Sequence, residues 1–221
     1  NYLARMGWSM PDEREKFTLQ EMIDEFEIDR ISLGGPIFDL EKLSWLNGMW
    51  IRENLSESEL ADRLIQWAYN QSNLLKVLPH VQKRMETLTD FVDLSSFLVS
   101  GELSMSTDDF SDLKTDLADC VRYFQFALWR LEAQDEWSRD AIWESLKTLA
   151  DTLEIKIKDF LAPFFIAISG SRASFSVVDA MELLGAEMTK ARIRYALEVL
   201  GGVSKKEVKR LEKEYSRAVN S

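Results

Sequence analysis

The chain has 221 residues, 46% of them apolar, and a formal charge of −11, enough sequence for one large core or two to three small ones. That acidity argues against indiscriminate nucleic-acid binding, whose usual footprint is a basic domain, but leaves room for a local basic strip. No apolar run is long enough to span a bilayer and no signal-peptide pattern opens the chain, while the lone Cys120 and lone His80 offer neither a disulfide nor a zinc cluster, so a reduced, cytoplasmic protein is expected.

Residues 1–8 read as the tail of a helix with no start signal before Tyr2, so the chain is expected to begin inside an element of a longer protein. Residues 9–16 read as a polar loop around Pro11. Thr18 and Glu21 have capping-box spacing and open a helix predicted to turn Met22, Ile23 and Phe26 inward. Residues 30–35 read as a short extended piece. Gly34-Gly35-Pro36 predicts a turn and Asp39 an N-cap. Leu40, Leu43 and Leu46 then mark the inner face of a helix that Asn47-Gly48 closes and Trp50-Ile51-Arg52 leaves. Ser56 and Glu59 form a second capping box, with Leu60, Leu64, Trp67 and Ala68 following at amphipathic spacing. Residues 73–84 continue helically around Pro79, and Thr89-Asp90 start a helix through Phe91, Leu94 and Phe97. Residues 101–106 read as loop. Residues 113–134 carry an apolar face so broad that a helix buried on more than one side is predicted. Residues 138–153 and 159–168 are further helices, the second ending at Ser169-Gly170. Ser176 and Asp179 cap a short helix that stops at Gly185, residues 190–200 form another, and Ser204 to Glu207 caps the last. No stretch holds strand alternation, so the chain reads as all-α, in three helical modules spanning 1–55, 56–96 and 97–221.

One segment says more than its periodicity. Residues 31–52, with the wording GGPxFDxxKLxWLNGxxIR, resemble the segment that follows the catalytic domain in bacterial glutamyl-tRNA synthetases, a class I family. Residues 1–11, NYLARMGWSMP, resemble the same family immediately upstream, and the likeness runs nearly to the C-terminus. The resemblance implies a stem-contact module followed by two anticodon-binding modules in an α-helix cage. It also implies tRNA-Glu as partner, a monomer, no membrane, and an N-terminal catalytic domain outside this chain.

It further implies roles for particular residues. Ser9, Arg30, Ser32, Lys42 and Trp45 fall where the family contacts the tRNA backbone near the D arm. Hydroxyls and cations suit phosphate oxygens, and Trp can lie against a sugar or base. Without the resemblance they read as exposed charge around a packed Trp. Arg84, in the run VQKRMETL, falls where discriminating members keep an arginine that reads the third anticodon base. An unpaired cytosine offers acceptors on its pairing edge and guanine offers N1–H and N2–H donors, whereas guanidinium only donates. That filter accepts a glutamate anticodon and opposes a glutamine one. Ser174, Phe175 and Val177 fall at the family's contacts to the first two anticodon bases; Phe175 either stacks on a base or fills a hole under the loop. Phe165 stands where the family commonly has an arginine, a departure that takes away one polar contact unless Arg172 replaces it.

No catalytic residue is expected here. The HIGH-like and KMSKS-like motifs of class I synthetases do not occur, and His80 is followed by Val81, Gln82 and Lys83. There is no glycine-rich phosphate loop, nucleophile elbow or metal-ligand cluster. ATP and Mg²⁺ therefore belong to the intact enzyme, and this chain alone is expected not to activate glutamate. The rival reading is a helical protein-interaction module that does not bind RNA.

Overall fold

Capping chemistry, local in sequence, sets the first helices. The structure, a computed structural model, describes residues 1–101, 103–171 and 174–219. These fall into two compact units, Asn1–Asn70 and Gln71–Ser221. Every regular element among the described residues is helical, so the all-α reading holds.

In the first unit, α1 (Tyr2–Arg5) leads to α2 (Leu19–Asp24), where both halves of the Thr18–Glu21 capping box form. α3 (Leu40–Asn54) is capped by Asp39, whose carboxylate accepts from the Lys42 N–H at 3.0 Å. Tyr2 Oη fixes that helix start, donating to the Asp39 carbonyl at 2.9 Å and accepting from its N–H at 2.6 Å. α4 (Glu57–Leu64) starts at the Ser56–Glu59 capping box and runs into a wider π-type turn over Ile65–Tyr69. The buried cluster is small: Trp8, Met10 and Phe17, with Ala4 and Met22 packed on it.

Two expectations fail here. α3 does not close at Asn47-Gly48; it runs through Trp50, Ile51 and Arg52 to Asn54. Gly48 sits mid-helix, and a Cβ there would come within 2.7 Å of Arg52 Nη1, so the glycine gives the arginine room to fold back. The inner face predicted for α2 is mostly outside: Met22 packs inward, but Ile23 is 59% exposed and Phe26 is half-exposed, its ring tilted against Trp8 at 6.0 Å. Residues 28–30 make a 3₁₀ turn, which overlaps the piece read as extended only at Arg30; Ile31 after it is extended.

The second unit holds the main core. α5 (Gln71–Val81) passes into a 3₁₀ turn over Gln82–Arg84, and α6 (Asp90–Ser95) into another over Ser96–Leu98. The helix expected from residue 113 begins later. A short α7 (Asp108–Ser111) comes first, and Asp116 then caps α8 (Leu117–Glu132). As its broad face predicts, α8 is central: α9 (Arg139–Thr152), α10 (Ile157–Ser169), α12 (Ala186–Val199) and α13 (Lys205–Val219) all pack against it. Cys120, Tyr123, Phe124, Phe126, Ala127, Leu128 and Leu131 are its buried residues. α11 (Val177–Leu184) packs on α9, α10 and α12. Cys120 is sealed in this core; burial, followed by the charges of Asp116 and Asp119, pushes its thiol up to about 12, which removes it as a nucleophile.

Candidate nucleic-acid interface

In the first unit, Ser9, Arg30 and Ser32 converge on one bend of chain. Arg30 lays its guanidinium along that bend, donating from Nε to the Ser9 carbonyl at 3.3 Å and from Nη2 to the Met10 carbonyl at 3.1 Å. The Ser32 N–H donates to the Gly7 carbonyl at 2.8 Å. Both serines remain exposed. Arg30 thus braces the loop with one edge of its fork, while Nη1 lies outside both bonds. Lys42 and Trp45 stand three residues apart on α3, the spacing of one helix face. Trp45 is 46% exposed, so it is not the packed core Trp of the plainer reading. Lys42 Nζ lies 3.5 Å from Glu15, which also pairs with Arg5. Burial opposes ionisation of Glu15, but its hydrogen bond to Arg5 and the charges of Arg5 and Lys42 outweigh that and hold the carboxyl below its usual range. An incoming phosphate at Lys42 must compete with Glu15. The competition is mild, because exposed pairs are worth about 0–1 kcal/mol.

In the second unit, Arg84 ends the 3₁₀ turn that follows α5. It is exposed, and no acidic partner is recorded for it among the described residues. The turn is braced on both sides. Val81 is fully buried before it, and after it the Asp90 carboxylate accepts from the N–H groups of Glu86 and Thr87, each at 2.7 Å. Those backbone bonds, Thr87 first, hold the Asp90 carboxyl below its ordinary value.

The α10–α11 connection meets α5 one turn before Arg84. Phe175 is 7% exposed, stacked on His80 at 5.3 Å and close to Phe97 at 5.5 Å. Of the two alternatives left by the sequence, it therefore fills the hole under the loop and offers no free ring face. Val177 is equally a core residue, at 2% exposure, so its side chain is not at the surface either. Ser174 is half-buried, but its Oγ is closed off from solvent and has no hydrogen-bond partner among the described residues. Phe165 lies half-buried one turn before Ser169 and packs on the core, where its carbonyl accepts from Ser169 Oγ at 2.8 Å. Gly170 ends α10 with φ 69°, a left-handed conformation that suits glycine. Arg172 lies outside the described residues.

Two positioning residues escape sequence reasoning. His80 Nδ1 sits 3.4 Å from Asp179, which also accepts from Arg139 Nε at 2.9 Å, so one carboxylate ties together α5, α9 and α11. Arg192 on α12 is completely buried. Its Nη1 donates to the Ile168 carbonyl at 2.5 Å, and Nη2 faces the carbonyls of Phe97, Ser100 and Gly101 at 2.5–3.0 Å. Burial lowers its pKa to about 10, which still leaves it charged at neutral pH. One guanidinium thus gathers the end of α10 and the chain after α6, the two segments that flank Phe175.

The anticodon-binding domain family matches residues 59–197 of this chain. The chain belongs to that family. This anticodon-binding-domain protein is 58% identical to a glutamate–tRNA ligase of Saccharophagus degradans and 56% identical to one of a Marinomonas species, each over 98% of this chain. It spans about 43% and 44% of the length of those proteins. A crystal structure of a glutamate tRNA ligase from Elizabethkingia meningosepticum in complex with its amino acid superposes with a TM-score of 0.55. That match covers 90% of this chain and 40% of the other at 23% identity, a likeness of fold. Within the family match lie Arg84, Ser174, Phe175, Val177 and Arg192; the group around Lys42 lies before it. Among the described residues no group of three or more His, Cys, Asp or Glu is placed to hold a metal ion. No helix among them is long and apolar enough to cross a membrane.

Proposed function

We propose that this chain is the tRNA-recognition part of a glutamate–tRNA ligase: it docks tRNA-Glu and checks its anticodon, while a separate catalytic domain joins glutamate using ATP and Mg²⁺. The whole protein acts in the cytoplasm as a monomer. Residues 1–55 form the stem-contact module, and 56–96 and 97–221 the two anticodon-binding modules. Ser9, Arg30, Ser32, Lys42 and Trp45 meet the tRNA backbone, which positions without reading sequence. Arg84 reads the third anticodon base through donors alone, accepting a cytosine edge and meeting donors on guanine. Ser174 belongs to the loop that meets the first two bases, with its hydroxyl turned into the protein rather than toward them. Phe175 and Val177 contribute from below, holding the loop backbone in place.

The observation that carries this reading is Arg84 itself: an exposed guanidinium with no acidic partner among the described residues, on a braced turn within the anticodon-binding match, in a chain of net charge −11. The test is a titration with tRNA-Glu against an unstructured polyanion at several salt concentrations. Specific docking gives a preference for the tRNA and a log–log salt slope of roughly −0.7 per phosphate contacted on single strands. Equal, weak binding to both would favour a protein-interaction module instead.

A further inference from the structure

α13 runs from Lys205 to Val219, beyond the last residue of the family match. Its inner face is fixed: Leu211 is buried, and Tyr215 packs edge-on against Phe126 at 5.3 Å and Trp129 at 5.4 Å on α8. The opposite face carries Lys206, Lys209, Arg210, Lys213 and Arg217, all exposed. At 3.6 residues per turn these five fall within an arc of roughly 100°. Among the described residues only Arg210 of these five is ion-paired: Glu207 holds it at 2.6 Å and Glu214 at 3.4 Å, and Glu214 is itself anchored to Arg122 on α8 at 3.0 Å. Lys206, Lys209, Lys213 and Arg217 form no ion pair among the described residues; Lys206 only adds, after Arg210, to the charges that hold the Glu207 carboxyl below its usual range. A depression of about 530 Å³, lined by Arg210, Lys213, Glu214 and Arg217 among those residues, lies along the row. This cationic row stands on a chain with eleven more acidic than basic residues.

We infer that the exposed face of α13 is a second RNA contact, a row of cations that holds the phosphodiester backbone of the tRNA without reading its bases; this rests on the tRNA-binding reading above. The chemistry favours a polyanion in extended form. Cations at four-residue intervals stand about 6 Å apart along the helix axis, one per turn, so successive phosphates of a strand can each meet one. A membrane surface fits worse, because the apolar face an interfacial helix would insert is packed against α8. Five like charges within one arc repel one another, and a polyanion laid along them relieves that repulsion; among the described residues only Arg210 of the five forms an ion pair.

The test compares two variants of the full chain. One neutralises the row (Lys206→Gln, Lys209→Gln, Lys213→Gln). The other removes the same charge from exposed lysines elsewhere (Lys114→Gln, Lys156→Gln, Lys158→Gln). Circular dichroism confirms equal helix content, and tRNA binding is measured across salt. The row variant is expected to bind every tRNA more weakly by one common factor, with the salt slope reduced by roughly two units for three lost contacts. The control should bind nearly as wild type does, and a preference for cytosine at the third anticodon base should persist in both. Equal loss in both variants, or an unchanged slope in the row variant, would overturn the inference while leaving the proposed function standing. Loss of self-association in the row variant, with tRNA binding intact, would instead assign the row to contact with a second copy. Failure of the wild-type chain to prefer tRNA at all would count against the proposed function itself.

Discussion

Replacing Phe175 separates two roles that the sequence leaves open. At 7% exposure between His80 and Phe97 it is a core side chain. Truncation to alanine removes its transfer energy and leaves a cavity, a change that costs about 3–5 kcal/mol for a buried Phe. The unit that contains it, Gln71–Ser221, is of a size where each kcal/mol moves the melting midpoint by about 2–4 °C, so Phe175→Ala is expected to melt roughly 6–20 °C below wild type. A base-stacking ring would behave differently, costing about 1–3 kcal/mol of RNA affinity and almost no stability. Phe175→Leu sharpens the contrast. It keeps most of the buried apolar volume and loses the aromatic face, so a hole-filling residue predicts a loss of about 1 kcal/mol in stability and near-normal RNA binding. Thermal unfolding by circular dichroism and tRNA titration below the mutants' midpoints supply both numbers. If Phe175→Ala melts within about 1 °C of wild type while both variants lose tRNA affinity, the buried placement is wrong and the ring reads a base.

Two further predictions follow from the site geometry. Lys42→Ala should weaken tRNA binding about equally for every anticodon and lower the salt slope by roughly one contact, which titration across salt will show; an unchanged slope would leave Lys42 merely as the partner of Glu15. Asp90→Ala should loosen the turn that carries Arg84, seen as faster amide exchange at Glu86 and Thr87. Because the folded Asp90 carboxyl lies below its ordinary value of 3.8, its contribution is present above that value and is lost as pH falls through the folded one; wild type and variant should therefore differ at neutral pH and converge in acid.

How much was legible divides along the range of the interactions. Thr18 with Glu21 and Ser56 with Glu59 are contacts three residues apart, and both capping boxes form as read. The width of the apolar face on α8 likewise announced its central place, because a face that broad must meet several neighbours. Gly48 misled: Asn-Gly after a helical run is a common stop, but a helix interior tolerates a glycine for about 1 kcal/mol, and the room it gives Arg52 is invisible in sequence. Ile23 and Phe26 have inward spacing, yet the small cluster around Trp8, Met10 and Phe17 does not cover them. Arg84 was singled out as a candidate by the wording around it. Arg192 was not, since a charged residue on an amphipathic helix is expected outside, and only the fold brings carbonyls from residues 97–101 and 168 around it.

The central claim is that this chain recognises tRNA by its anticodon through Arg84. The direct measurement is the affinity of wild type and Arg84→Gln for two tRNA-Glu transcripts that differ only at the third anticodon base, cytosine or guanine. Glutamine supplies an acceptor as well as donors, so it can pair with either edge. A well-made arginine–base contact is worth roughly 1–3 kcal/mol of discrimination, taking duplex readers as a guide. Wild type should prefer cytosine, and Arg84→Gln should narrow that preference by roughly ten-fold or more with a smaller loss of affinity for the cytosine transcript. The same cytosine-to-guanine ratio in both proteins would contradict the account.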